Sequence, residues 1–145
     1  MIGYRKFLLR AALMLTLLCS AAYAHAQVYD VLWTDLSGVT YDVPNNTLTK
    51  TAANGWSDGA ARSTNFLEVK VDGYVKYTAH SSDRTTDKVI GLSAINATTG
   101  YTDIDNAYMI TKGKVSVWKS GVLYGLVAYL KANDELTIER SGSNI

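Results

Sequence analysis

Hydrophobic and polar positions alternate with period two along much of this chain, the signature of strands with one face buried and one wet. Val75, Tyr77 and Ala79 fall on one face of a stretch whose other face carries Tyr74, Lys76 and Thr78. Val115 and Val117 alternate with Lys114, Ser116 and Trp118, and Leu136 and Ile138 alternate with Glu135, Thr137 and Glu139. The pattern, with its abundance of Thr, Val, Tyr and Ile, predicts strands over 28–34, 39–43, 47–51, 73–79, 88–95, 106–110, 114–119, 122–127 and 135–140. Helix-period stretches are lacking. Lys112-Gly113 and Ser120-Gly121 sit between predicted strands as two-residue hairpin turns, and Pro44-Asn45-Asn46 marks another turn. The segments 51–65, small and polar around Trp56, and 81–87 read as loops.

Short strands at this spacing, half-buried and joined by tight turns, define an all-β, antiparallel fold, a β-sandwich or barrel. Residues 1–26 stand apart. Arg5, Lys6 and Arg10 precede an apolar run, Ala11 to Leu18, too short to span a bilayer, and Ala24-His25-Ala26 has the small-x-small form of a cleavage site. This is the pattern of a secretory signal peptide. It predicts a secreted or cell-surface protein whose mature part, 27–145, is a single β-sandwich domain.

Composition then narrows the chemistry. The only cysteine, Cys19, lies in the leader, so no disulfide is expected in the mature domain. Leu18 before it is too large for lipoprotein processing. The formal charge of +1 belongs to the leader: without it, 11 basic residues face 13 acidic ones. Such a balance offers no footprint for nucleic acid, and no second apolar run of spanning length follows.

Catalytic constellations are poorly represented. His80 is the one histidine after the leader, and no Gly-x-Ser-x-Gly elbow accompanies it. Paired glycosidase carboxylates are not evident; Glu135 and Glu139 share a strand face that reads as solvated. Asp103, Asp105 and Asn106 offer alternating hard oxygens to a calcium ion, or else cap backbone amides in a turn.

Carbohydrate is the ligand class the residues favour. Sugars stack their C–H faces on aromatic rings and need planar polar partners for their hydroxyls. The chain has 3 Trp and 10 Tyr. Trp56, in a glycine-rich loop beside Asn54 and Asp58, is the leading candidate, with Trp118 and Tyr101 next and Tyr108 and Tyr124 behind them. An indole in such a loop also serves as a plug over the end of a sandwich, and composition does not separate the two roles.

The series Trp33-Thr34-Asp35, Asn54-Gly55-Trp56, Gly59-Ala60-Ala61, Asp72-Gly73-Tyr74-Val75, Ile90-Gly91-Leu92-Ser93, Ile104-Asp105-Asn106-Ala107 and Asp134 to Gly142 resembles a β-sandwich module of large secreted bacterial surface proteins. That module is similar to concanavalin-like and SPRY-like jelly rolls. The resemblance implies a jelly-roll sandwich and a non-catalytic role in recognition or adhesion, with glycans or other surface proteins as partners and no catalytic residue. In such modules a Tyr-Lys-Asn-Gly-type strand follows the segment matching 138–145, so the resemblance also implies a domain cut short at its C-terminus. The alternatives are a structural spacer without ligand and the N-terminal part of a secreted enzyme whose catalytic residues lie downstream.

Overall fold

The computed structural model describes residues 27–56, 58–95, 98–142 and 144–145; the leader reading of 1–26 falls outside them. Residues Val31–Ile145 form one compact unit, and residues 27–30 before it carry no regular structure. The unit is all-β with antiparallel pairing throughout. Its strands are β1 (Trp33–Ser37), β2 (Val39–Asp42), β3 (Thr47–Lys50), β4 (Ala60–Ser63), β5 (Gly73–Thr78), β6 (Asp87–Leu92), β7 (Asn106–Thr111), β8 (Lys114–Lys119), β9 (Val122–Tyr129) and β10 (Glu135–Arg140). β6-β7-β8-β9 form a four-stranded meander, and β1-β4, β2-β3 and β5-β10 are two-stranded ladders. Among the described residues no helix is long and apolar enough to cross a membrane.

The tight turns follow from the residues expected to make them. Lys112 and Gly113 have φ of 48° and 80°, and Ser120 and Gly121 have 45° and 76°. Two successive positive φ values give the turn whose twist matches a right-twisted hairpin. They join β7 to β8 and β8 to β9 without a longer loop.

Antiparallel partners share a face, so register assigns the layers. Lys88, Ile90 and Leu92 on β6 lie opposite Ile110, Tyr108 and Asn106 on β7, which lie opposite Val115, Val117 and Lys119 on β8. This face packs on the β5–β10 ladder, where Leu136 is paired with Tyr77 and Ile138 with Val75. The core is the buried set Ala79, Ile110, Val115 and Leu130, with Tyr77, Ile90, Tyr108 and Leu136 against it. The Tyr108 hydroxyl donates to the Thr137 carbonyl at 3.1 Å, tying sheet to ladder.

Four features depart from the sequence expectation. β1 runs Trp33–Ser37 rather than 28–34, with a register shift between Thr34 and Ser37 where Asp35 takes a φ of 49°. Ala60–Ser63, inside the expected loop, pairs with β1 as β4. The loop 81–87 contains a 3-10 turn, Ser81–Arg84. β9 runs to Tyr129 and holds two more residues than β8, Tyr124 and Val127, which oppose nothing in the ladder. These bulges reset the alternation, so Leu123, Leu126 and Tyr129, three apart, share the face of Trp118, Ser116 and Lys114.

Candidate functional site

Trp56, Tyr101 and Trp118 come from three segments and meet on the sheet face opposite the main core. The Trp56 and Tyr101 ring centroids are 5.9 Å apart with planes at 59°, and Tyr101 and Trp118 are 5.8 Å apart at 88°. Both are favourable aromatic geometries, the second edge to face.

Local structure explains the meeting. Trp118 lies in β8 opposite Ala107, and its indole N–H donates to Ser116 Oγ at 2.9 Å, which fixes the ring along its strand. Tyr101 opens the 3-10 turn Tyr101–Asp103, which leads into β7. The Ser120 amide donates to the Asp105 carbonyl at 3.0 Å, drawing that turn to the β8–β9 hairpin. The loop bearing Trp56 is anchored on its approach: the amides of Thr51 and Ala52 donate to the Gly38 carbonyl at 2.9 and 3.0 Å, and Lys50 Nζ donates to the Gly55 carbonyl at 2.5 Å.

The resulting surface is graded. Tyr101 and Trp118 are half-buried, whereas Trp56 is 41% exposed with Asn54 and Asp58 exposed beside it in the loop. One indole is therefore open to a ligand and rests against Tyr101, which in turn packs on Trp118. Tyr108 packs against the core, and the exposed Tyr124 ring lies under the ammonium of Lys119 at 4.9 Å.

Asp103 and Asp105 use their carboxylates locally. Asp103 Oδ2 accepts the Thr98 amide at 2.6 Å; Asp105 Oδ2 accepts the Ala94 amide at 2.8 Å and faces Ser93 Oγ at 3.4 Å. Asn106 begins β7, opposite Leu92 and Lys119. Among the described residues, no three of His, Cys, Asp and Glu gather in one place. His80 caps the Ser81–Arg84 turn: its Nδ1 accepts the Ser82 amide at 3.2 Å. A shallow recess of about 150 Å³ opens between the sheet and β10, lined by Asn106, Lys119, Thr137 and Glu139 among others and by none of the three clustered rings.

Sequence reasoning overlooked Gly38 and Lys50, which hold the Trp56 loop, and Asp83. Asp83 has no exposed surface, pairs with Lys88, and accepts the Tyr77 hydroxyl at 2.6 Å and the His80 amide at 2.9 Å. Burial pushes its carboxyl up, but the hydrogen bonds from Lys88, Tyr77 and the His80 amide outweigh that and hold it below the usual carboxylate range. Burial lowers Lys88, and its bonds to Asp83 and Tyr77 reverse this to leave it raised. Burial raises Tyr77, and its donation to Asp83 adds to the effect.

No protein-family model, curated protein or solved structure matches the chain.

Proposed function

We propose that this chain is an exported, non-catalytic recognition module that binds carbohydrate at the Trp56–Tyr101–Trp118 cluster. The observation that carries the reading is the convergence of the three rings, with Trp56 alone substantially exposed and flanked by Asn54 and Asp58. An open indole supplies the apolar stacking face that a pyranose needs, and the neighbouring amide and carboxylate supply partners for its hydroxyls. Export rests on the sequence pattern of residues 1–26. The jelly-roll form of the sandwich, and a place within a larger bacterial surface protein, rest on the resemblance.

The test is binding to a panel of soluble polysaccharides by affinity electrophoresis or calorimetry. Trp56→Ala is expected to abolish saturable binding while far-UV circular dichroism stays unchanged. Binding that survives Trp56→Ala in a folded chain overturns the assignment.

A structural or adhesive spacer is the second reading. The mutual tilt of the rings favours it, because edge-to-face packing is also how aromatic side chains plug a surface. A spacer shows no saturable binding to any polysaccharide, and Trp56→Ala then lowers only stability.

A further inference from the structure

We propose that β9 is a self-association edge, through which two copies of this chain pair antiparallel and extend the four-stranded sheet across a twofold axis. Among the described residues β9 is hydrogen-bonded to β8 alone, so its outer edge is open. Val122, Leu123, Tyr124, Leu126, Val127 and Tyr129 are all between 55% and 74% exposed. Six large apolar side chains on one strand are left to solvent at such exposure, and clustered exposure of this kind marks an interaction site.

The occupant follows from charge and length. Whatever strand lies beside β9 sets its own side chains among uncharged, apolar ones over eight residues. A charged strand there would set an unpaired charge against apolar side chains. The other strands with an open edge all carry charge: Asp35 on β1, Asp42 on β2, Lys50 on β3, Arg62 on β4, Lys76 on β5, Asp87 on β6 and Glu135 on β10. β9 has neither a charge nor a proline and is the longest strand. It lacks the lysines and prolines that blunt such edges, and its two bulges leave apolar side chains, Tyr124 and Val127, exposed. A second β9 is thus the strand in this chain that fits the first. Antiparallel self-pairing is isologous, so it closes as a dimer. Leu123, Leu126 and Tyr129 of the two copies then form one apolar surface across the seam.

The experiment is mass measurement of the purified chain by sedimentation equilibrium and light scattering over a concentration series. The expected result is a reversible monomer–dimer equilibrium. Val127→Lys should weaken it at least tenfold, whereas Val69→Lys, a charge at a loop position 83% exposed, should leave it unchanged. Folding of each variant is checked by circular dichroism, and Tyr124→Lys replaces Val127→Lys if the latter does not fold. A single-chain mass at every concentration, a dimer indifferent to the lysine on β9, or open-ended oligomers in place of a dimer would each overturn the proposal. Trp56→Ala should leave the dimer intact, so loss of glycan binding and loss of pairing are separable.

Discussion

Asp83 and Lys88, five residues apart, form an ion pair around a carboxylate with no exposed surface, and the Tyr77 hydroxyl donates to the second carboxylate oxygen. Lys88 also reaches the Tyr77 hydroxyl at 3.2 Å and lies 5.5 Å from its ring centroid. The three residues come from β5, the Ser81–Arg84 turn and β6, so the pair fastens ladder to sheet beside the core. Breaking a buried pair from one side leaves the other charge stranded. Asp83→Ala is therefore expected to cost about 3–5 kcal/mol, read by urea unfolding. Tyr77→Phe should cost less, and the double mutant should be far from additive because the two groups share one network.

The same network predicts the pH dependence. Asp83 titrates lower in the folded chain than in the unfolded one, so its contribution is complete above the unfolded value of about 3.9. As pH falls from there through the lower folded value, that stability is lost. Lys88 and Tyr77 are both raised, so their contribution is complete below about pH 10 and is lost as pH climbs toward their folded values. Thermal unfolding across pH should show a plateau between these limits. In Asp83→Asn the acid limb should flatten, and a limb of unchanged steepness would count against the assignment.

Ile110 is fully buried in the core, opposite Val115 on β8, in the cluster that Ile90 and Tyr108 pack against. Its truncation leaves a cavity that paired strands cannot easily close. Ile110→Ala is expected to cost about 2–5 kcal/mol, whereas Val127→Ala, at a half-exposed position, should stay within about 1 kcal/mol. Chemical denaturation of the two variants checks the contrast.

The strands were largely legible because a half-wet antiparallel strand writes its period into the sequence. β5, β8 and β10 show this most clearly, with Val75, Val115 and Leu136 alternating against charged or hydroxylated neighbours. β4 was not legible, since Ala60-Ala61-Arg62-Ser63 has no β-branched or aromatic residue and becomes a strand only by pairing with β1. The end of β9 was missed for another reason: two bulges convert period two to period three. The candidate rings were recognisable by type, but their meeting depends on hydrogen bonds between distant segments. Asp83, within Ser81-Ser82-Asp83, looks like an ordinary solvated loop residue. Its burial arises only when Tyr77 and Lys88 arrive from neighbouring strands.

Arg140 supplies a prediction about the loop before β5. Its guanidinium donates to the carbonyls of Val71, at 2.9 Å through Nε, and of Leu67 and Glu68. Those carbonyls have no strand partner, and a planar five-donor head suits several of them at once. Arg140→Lys keeps the charge and loses the fork. Limited proteolysis should show faster cleavage between residues 64 and 72 in that variant. Equal cleavage rates would show that the loop is held by other means.

Gly38 controls the loop that carries Trp56. Its φ is +58°, and a Cβ there would collide with the Asp58 carbonyl oxygen and the Ala52 side chain. Its own carbonyl accepts the amides of Thr51 and Ala52. Gly38→Ala therefore adds a left-handed strain of about 1–3 kcal/mol and forces the loop outward. The effect should be local, because none of the core residues lies in this loop. Hydrogen exchange should show protection lost at Thr51 and Ala52 while the amides of β7 and β8 stay protected. If the clustered rings form the binding surface, the same variant weakens polysaccharide binding as Trp56→Ala does, although the indole is still present. Binding retained alongside lost protection would mean that Trp56 acts without its fixed position over Tyr101.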